Sequence, residues 1–180
     1  MCAAVCPTGA IIIKNDSHRL WKELNQEDTI AVAQVAPAVR VAVAKEFGYN
    51  GENVMGKIVA ALRRIGFNYI FDTSTAADLT VMEESKEFAD RLANGGKLPL
   101  FTSCCPAWIK YAENEYPEIL PNISTCRSPM QMFASVINEK FKGEGKKILS
   151  VAVMPCTAKK GEAARDEFKD ENGKPLVDFV

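Results

Sequence analysis

Two short stretches of this sequence, LFTSCCPAW (100–108) and VMPCTAK (153–159), decide its fold class. Each follows an apolar, strand-like run, Lys97–Phe101 in one case and Ile148–Val153 in the other, and places a cysteine where a strand would give way to a helix. In open α/β sheets the carboxyl ends of neighbouring strands converge on one crevice, so distant cysteines can meet there. Because adjacent cysteines such as Cys104 and Cys105 rarely bridge each other, this pattern favours a metal cluster over a disulfide and predicts redox chemistry.

The rest of the chain alternates between β and α patterns. Predicted strands, besides the two runs above, are Thr29–Val35 and Phe67–Phe71. Helices are predicted from about Ala38 to Phe47, along Ile58, Leu62 and Ile65 up to Gly66, from about Ala76 to Ala93, after Pro106, and from Ser128-Pro129 to Phe141. Such alternation predicts an α/β fold with a largely parallel sheet flanked by helices.

Composition limits the classes of function. The chain has 180 residues, of which 47% are apolar and 25% charged, with a net charge of −1, as in a globular protein with a sizeable core. The sequence has no basic stripe for nucleic acid and no apolar stretch of membrane-spanning length. Its first residues do not resemble a signal peptide, so we expect a cytoplasmic protein, with export inside a larger complex as the alternative.

Both ends of the sequence carry partial motifs. CAAVCP (2–7) reads as the close of a bacterial ferredoxin motif, C-x2-C-x2-C-x3-C-P, with only its last two cysteines, Cys2 and Cys6. We expect residues 1–20 to be the remnant of a ferredoxin-like module. At the other end, PLVDFV (175–180) resembles the start of another strand. The chain is therefore expected to be cut at both ends.

The cysteine segments admit two interpretations. Pro106 suits the first helical position, so Cys105 would be an N-cap whose thiolate the helix dipole stabilises for iron binding. Alternatively, Cys104 and Cys105 are small buried hydrophobic residues, as free cysteines often are. Cys156 also follows a strand, and Lys159 lies one turn later, where it could equally be a solvated surface amine.

The helix before the first cysteine segment carries three ionisable residues on one face. Glu84, Glu87 and Arg91 are three and four positions apart and could pass protons along the helix. The alternative is an exposed Glu87–Arg91 ion pair worth roughly 0.3–0.5 kcal/mol, which the composition alone favours. Cys126 has no partner at a recognisable spacing and is expected to be a buried bystander.

The stretches TSCCPAW (102–108) and MPCTAKKGEAAR (154–165) together resemble the first two signature segments of the [FeFe]-hydrogenases, TSCCP-x-W and MPC-x-x-K-x-x-E. The resemblance continues in QVAPAVR (34–40), VMEE (81–84) and STCRSP (124–129), in the same order. It implies that residues 25–180 form the first lobe of the catalytic domain and stop before the third cysteine segment.

The resemblance also implies a cofactor, the H-cluster. This is a [4Fe-4S] cubane joined through a cysteine to a diiron unit with CO, cyanide and a bridging dithiolate. The implied ligands of the cubane are Cys105 and Cys156. Around the diiron unit, Lys159 is implied to donate a hydrogen bond to a cyanide and Met154 to pack beside the distal iron. Ala36 and Pro37 are implied to line the dithiolate. The implied proton path consists of Cys104, Glu84, Ser124, Glu87 and Arg91.

Three departures from the family pattern stand out. Ala107 replaces a frequent Gly, a change expected to be harmless. Met130 replaces a frequent Gln near a CO ligand and would alter the local polarity. The third segment, with two further cubane ligands, is absent from this sequence, so the chain by itself is expected to be inactive.

The predicted function is reversible H2 production, 2 H+ + 2 e- to H2. Electrons would come from ferredoxin or NAD(P)H, through a diaphorase-type subunit and additional ferredoxin-type clusters, and maturation proteins would install the H-cluster. The alternatives are an iron–sulfur assembly or scaffold protein, an H2-sensing relative, and a small thiol oxidoreductase. Cys104, Lys159 and the acidic residues of the preceding helix disfavour the first alternative, and Cys104 also disfavours the second. The lack of a C-x-x-C motif disfavours the third.

Overall fold

A three-stranded parallel sheet forms the centre of the molecule. The computed structural model describes residues 2–49, 51–143 and 145–180, without the side chain of Cys2. The strands are β1 (Thr29–Val35), β2 (Tyr69–Asp72) and β3 (Lys147–Val153). Their order is β2-β1-β3, with Val32 opposite Tyr69 on one side and Ser150 on the other. The predicted α/β class and parallel sheet are confirmed.

Helices cover both faces of this sheet. They are α1 (Cys2–Val5), α2 (Ser17–Leu24), α3 (Pro37–Glu46), α4 (Met55–Ile65), α5 (Ser74–Asn94), α6 (Pro106–Glu115), α7 (Pro129–Lys140) and α8 (Ala158–Ala163). One face of β1 packs Ile30 and Val32 against α5 and α7, and the other packs Ala31 and Ala33 among residues that include Leu62 of α4. Because β1 is covered on both sides, its residues from Ile30 to Ala33 are all apolar rather than alternating with polar ones.

Two predicted helix ends follow from local chemistry. Gly66 ends α4 in the left-handed conformation, with φ of 119°, which a residue without a Cβ adopts at little cost. Ser128 is the N-cap of α7, where its side chain accepts a hydrogen bond from the backbone N–H of Gln131, and Pro129 occupies the first helical position. The predicted boundaries at these two positions are confirmed.

The strand predicted at Lys97–Phe101 is wrong. Within the described residues, this segment forms only a single parallel bridge, between Phe101 and Ile123. Phe101 donates to the carbonyl of Asn122 at 2.9 Å, and Ser124 donates back to Phe101 at 2.7 Å. Pro99 interrupts the run and has no N–H to donate to a ladder, so the segment pairs briefly with residues 122–124 instead of joining the sheet.

The strand predicted at Phe67–Phe71 begins two residues later, at Tyr69. Asn68 is held at the edge of β1, since its N–H donates to the carbonyl of Ala31 and its side-chain oxygen accepts from the N–H of Ala31. Phe67 instead fills the core cluster on one face of the sheet. The regular pairing of β1 with β2 therefore starts only after Asn68, whose side chain makes one of the bonds to β1.

The last residues run beside β3. Phe179 forms a parallel bridge with Val151 and accepts a hydrogen bond from the N–H of Ala152 at 2.8 Å. Val177 and Phe179 are both buried. The predicted beginning of another strand therefore corresponds to one parallel bridge at the free edge of β3. In the part of the chain that is described, no helix is both long and apolar enough to cross a membrane.

Candidate functional site

The two cysteine segments lie side by side. Cys104 and Cys105 directly precede α6, while Cys156 lies between β3 and α8. The ammonium of Lys159 donates a hydrogen bond to the carbonyl oxygen of Cys104 at 2.8 Å. Residues 55 positions apart are thus in direct contact, at the end of the sheet where β3 gives way to α8.

Lys159 is not a solvated surface amine. Its side chain is 13% exposed and forms an ion pair with Glu162 at 2.7 Å, whose own side chain is 5% exposed. A partly buried ammonium held by both a carboxylate and a carbonyl has a fixed direction. Glu162 was not among the predicted site residues, although it is the Glu of the MPC-x-x-K-x-x-E pattern.

The thiols are accessible. Cys104 and Cys105 are exposed, Cys156 is half-buried, and all three are free. The interpretation of Cys104 and Cys105 as buried hydrophobic residues is therefore wrong. Cys105 has the extended backbone of an N-cap, and its carbonyl accepts the N–H of Ile109 at 3.0 Å, as predicted from Pro106.

The donor set fits half of a cubane. Thiolates bind iron, and a [4Fe-4S] cluster takes four of them. Cys105 and Cys156 offer two sulfur donors from segments that are in contact. Among the residues with described side chains, no group of three or more His, Cys, Asp or Glu is placed to hold a metal ion. A cubane at this edge would need two further ligands from residues outside this set.

Residues implied to surround the diiron unit also meet at this edge. Ala36 is buried, and its N–H donates to the carbonyl of Val153 at 3.0 Å, which brings Ala36 and Pro37 next to Met154. Met154 is half-buried against a cluster that contains Met130. Met130 itself is only 1% exposed, so its side chain is part of the core.

A separate hydrogen-bond network surrounds Glu87. One carboxylate oxygen accepts from Arg91 at 2.6 and 3.0 Å, and the other accepts from the Ser124 hydroxyl and from the Thr125 N–H, both at 3.0 Å. Arg91 also donates to three backbone carbonyls, those of Lys97, Pro121 and Ile123. The side chains of Glu87 and Arg91 are only 16% and 14% exposed, so the interpretation as an exposed ion pair is wrong.

This network keeps Glu87 ionised. Burial opposes ionisation, but hydrogen bonds from Arg91, Ser124 and Thr125 outweigh it and hold the pKa of the Glu87 carboxyl below its usual range. The two remaining residues of the implied path, Glu84 and Cys104, are not bonded to this network in the described structure. Oε1 of Glu84 is buried and has no hydrogen-bond partner there.

Cys126 is half-buried beside this network rather than apart from it. Its sulfur lies 3.8 Å from Oε2 of Glu87, and its N–H donates to the Ser124 hydroxyl at 3.1 Å. Its carbonyl accepts from the Ser103 hydroxyl at 2.5 Å, which ties the first cysteine segment to the network. Burial raises the pKa of the Cys126 thiol, and the charge of Glu87 adds to that effect. No sequence spacing reveals these contacts, because most of them join distant positions.

Cys6 belongs to the segment predicted to be ferredoxin-like. Cys6 is half-buried, and a hydrogen bond with the Thr8 hydroxyl, together with nearby backbone N–H groups, lowers the pKa of its thiol to about 7. Such donors stabilise a thiolate. The side chain of Cys2, the other residue predicted to bind this cluster, lies outside the described residues.

Fold and site together define an α/β protein that presents free thiols and a buried ion pair at one sheet edge, next to a buried acid network. The sequence model of the iron-only hydrogenase large subunit, C-terminal domain, matches residues 29–180. The chain belongs to this family, as the resemblance of its cysteine segments predicted.

Individual relatives agree with this family. The chain is similar to the NADP-reducing hydrogenase subunit HndD of Solidesulfovibrio fructosivorans, 45% identical over 99% of the chain and 32% of that protein. It is also similar to iron hydrogenase 1 of Clostridium pasteurianum, 39% identical over 97% of the chain and 31% of that protein. An apo variant of the [FeFe]-hydrogenase from Chlamydomonas reinhardtii superimposes with a TM-score of 0.84, 35% identical over 93% of the chain and 45% of that chain.

Relatives of another kind also match. The cytosolic iron–sulfur assembly component 3 of Rattus norvegicus is 35% identical over 91% of the chain and 38% of that protein. The chain spans about a third of the length of these hydrogenases and less than half of the superimposed structure.

Proposed function

We propose that this chain is the first lobe of the catalytic domain of an [FeFe]-hydrogenase that makes or splits H2 reversibly. The observation that carries the proposal is the contact of Lys159 with the backbone of Cys104, which joins the two cysteine segments at one edge. The buried Glu87 network lies beside the same segments, through Ser103 and Cys126. A protein that only holds a cluster has no need of a proton route beside it.

The donor set suits the H-cluster, which supplies electron exchange and the site of H2 chemistry when it is bound. Cys105 and Cys156 are proposed as two cubane ligands, and Lys159 as a hydrogen-bond donor to a cyanide. The proposed neighbours of the diiron unit are Met154, Ala36 and Pro37. Residues beyond this sequence would provide the other two thiolates.

The proposed proton route starts at Glu87. This carboxylate exchanges protons with solvent, and Arg91 holds it in position. The Ser124 hydroxyl, bonded to Glu87 at 3.0 Å, can accept one proton while it donates another. Glu84 then exchanges protons with the thiol of Cys104, the general acid and base of this chain. The buried, unpartnered oxygen of Glu84 is available for this step.

The proposed electron supply is through ferredoxin-type clusters. Cys2 and Cys6, within a ferredoxin-like segment at residues 1–20, would ligate one such cluster, and residues 25–180 form the lobe. The electron donor is ferredoxin or a diaphorase-type subunit, the latter supported by the NADP-reducing relative. Maturation proteins would install the diiron unit. We propose a cytoplasmic location, and the similarity to a periplasmic hydrogenase of Nitratidesulfovibrio vulgaris gives the alternative.

A domain exchange tests the function. This chain replaces the matching third of the Clostridium pasteurianum iron hydrogenase 1, and the chimera is matured and assayed for H2 evolution with a reduced dye. The expected results are H2 evolution and infrared bands of CO and cyanide ligands. A chimera that folds and binds iron but shows neither result would contradict the hydrogenase function.

The second candidate is iron–sulfur assembly, supported by the relatives named as assembly components. A scaffold needs the cubane ligands but not the proton-transfer thiol. Matched chimeras carrying Cys104→Ser and Glu87→Gln separate the two functions. A scaffold predicts that neither substitution changes any measured property of the cluster-loaded chimera, whereas a hydrogenase predicts a large loss of turnover at unchanged iron content.

A further inference from the structure

An ion pair joins the helix that follows Cys105 to the helix that follows Cys156. Arg165 lies two residues beyond α8, and its N–H donates to the carbonyl of Glu162 in the last turn of that helix at 3.1 Å. The Arg165 guanidinium donates to both carboxylate oxygens of Glu113 in α6, from Nη2 to Oε1 at 2.6 Å and from Nη1 to Oε2 at 3.3 Å. A two-point bond of this kind fixes the angle between the two groups as well as their distance.

Both members of this pair are half-buried and held by more than one contact. Hydrogen bonds from Arg165 hold the pKa of the Glu113 carboxyl below its usual range, so the carboxyl is ionised at neutral pH. Nε of Arg165 also donates to Glu167. Lys110 lies 3.6 Å from the Glu113 carboxylate as well, but it is exposed and belongs to α6 itself. Arg165 is therefore the cation that connects α6 to the end of α8.

α6 stands outside the hydrophobic clusters of the core. Those clusters contain residues of α5, α7 and α8 but, among the described residues, none of α6, whose buried residue Ala112 offers only a methyl group. Trp108 of α6 packs edge to face against Phe101, which joins α6 to the segment before it rather than to α8. An open groove of about 870 Å³ is lined by residues of both helices, among them Ala107 and Gly161. The separation of α6 and α8 therefore depends largely on polar contacts.

Polar contacts join the two helices at two places. The first is the bond from Lys159 to the carbonyl just before Cys105. The second, the Arg165–Glu113 pair, lies about two turns further along α6. One contact lets a helix pivot, whereas two contacts at different heights set its direction. That direction decides where Cys105 lies relative to Cys156, because Cys105 is the N-cap of α6 and Cys156 lies two residues before α8.

We propose that Arg165 and Glu113 are positioning residues that keep Cys105 and Cys156 at the separation at which both can bind one iron–sulfur cluster. The cluster rests on the proposed function, whereas the separation of the two thiols is a property of the chain. The two residues act through the direction of α6 and not through contact with the cluster. An ion pair without this role would leave the thiol separation unchanged when it is removed.

Cross-linking of the two thiols tests the proposal without any cluster. A short bis-maleimide is added to a Cys104→Ser background, so that the adjacent thiol does not compete, and the Cys105–Cys156 cross-link is quantified by peptide mass spectrometry. The cross-link should form readily in this background. It should form roughly tenfold more slowly after Arg165→Met, because a misdirected helix lowers the effective concentration of one thiol at the other. Lys110→Met, which removes the other cation from the same carboxylate, is the matched control and should change little.

The comparison is made between variants that circular dichroism shows to be folded. Equal cross-linking rates in Arg165→Met and its background would overturn the proposal, as would the lack of a cross-link in the background. Glu113→Gln keeps the size of the side chain and should react as slowly as Arg165→Met, and the double variant should be no slower, since all three lack the same bond. Arg165→Lys keeps the charge without the two-point bond and should also react slowly. A background rate in Arg165→Lys would contradict the two-point geometry.

The role in cluster binding has its own measurement in the matured chimera. Arg165→Met should lower the iron bound per folded molecule and change the electron paramagnetic resonance signal of the reduced cubane, because supporting contacts set the geometry of metal ligands. Lys110→Met should do neither. Unchanged iron content and an unchanged signal in folded Arg165→Met would refute this role. An unsubstituted chimera that binds no iron would instead count against the proposed function, while the cross-linking rates would still decide the position of the thiols.

Discussion

The acid network and the cysteine edge differ in how complete they are within this chain. Every oxygen of the Glu87 carboxylate is bonded to a described residue, and Arg91 is bonded to Glu87 and to three carbonyls. The thiols of Cys104 and Cys105, in contrast, are exposed and free. The groups of the first region are bonded to one another by folding, while the thiols of the second region make no such bonds among the described residues. Folding alone therefore builds the proposed proton entrance, whereas the proposed metal centre would also need the cofactor.

The Lys159–Glu162 pair shares features of both regions. It is largely shielded from solvent and hydrogen-bonded like the acid network, yet it belongs to the cysteine edge. Its charge is balanced within the chain, so the orientation of Lys159 is set before any cofactor binds. The cysteine edge is thus partly organised in advance.

The largest expected effect separates the two adjacent sulfurs of the cysteine edge. In the matured chimera, Cys105→Ser should abolish cluster binding, since a cubane ligand is lost. Cys104→Ser should leave iron content intact and lower turnover by several orders of magnitude, because a hydroxyl is a far weaker acid than a thiol. Iron analysis and H2 evolution measure the two effects. An equal loss of iron in both variants would show that the division of roles is wrong.

A second large contrast concerns the chain alone. Supplied with iron, sulfide and maturation proteins, it should show no H2 evolution and no CO or cyanide infrared bands, because two thiolates do not enclose a cubane. Its fold, measured by circular dichroism, should nevertheless be retained, since the acid network and sheet need no metal. Sharp ligand bands with H2 production would mean that other residues here complete the site.

The stability of the acid network can be measured without any metal. Arg91→Met removes the partner of a mostly buried carboxylate and is expected to lower the free energy of unfolding by about 2–4 kcal/mol in urea titrations. Lys142→Met removes one end of the exposed Lys142–Glu139 pair and is the control, with no measurable change expected. Equal effects of the two substitutions would place the Glu87–Arg91 pair among ordinary surface ion pairs.

A smaller effect is expected in the pH dependence of stability. The folded pKa of Glu87 lies below its unfolded value, so its contribution is present above the unfolded pKa and is lost as pH falls through the folded pKa. Glu87→Gln should therefore flatten the decline of unfolding free energy on the acid side of about pH 4.3. Glu139→Gln, at an exposed position, should leave the decline unchanged. Parallel curves for Glu87→Gln and the unaltered chain would contradict the depressed pKa.

The smallest expected effect is a difference between thiols. Cys126 has a raised pKa and is half-buried, so near pH 7 it should be alkylated several-fold more slowly than exposed Cys105. Glu87→Gln removes a nearby negative charge and should accelerate labelling of Cys126 modestly. Peptide mass spectrometry resolves the two sites. Equal labelling rates of Cys126 and Cys105 in the unaltered chain would show that the acid network does not make Cys126 less reactive than the cysteine edge makes Cys105.

Local sequence signals predicted most of the fold. The strand Thr29–Val35 has the predicted bounds because most of its residues are apolar and Pro37 follows it. Gly66 and Ser128-Pro129 set helix ends through backbone conformation and capping, which depend only on near neighbours. Lys97–Phe101 was mistaken for a sheet strand because its apolar pattern does not reveal that Phe101 pairs with Ile123 instead.

The sequence by itself determined the α/β class, the parallel sheet and the family, since these follow from periodicity and from short motifs whose residues are neighbours in the chain. Tertiary structure alone decided the state of the site residues. Glu162 fixes Lys159, Cys126 approaches Glu87, and the Glu87–Arg91 pair is half-buried. Burial and hydrogen bonding depend on which distant segments pack together, and a spacing of three or four residues on a helix has the same appearance whether that face meets water or another helix.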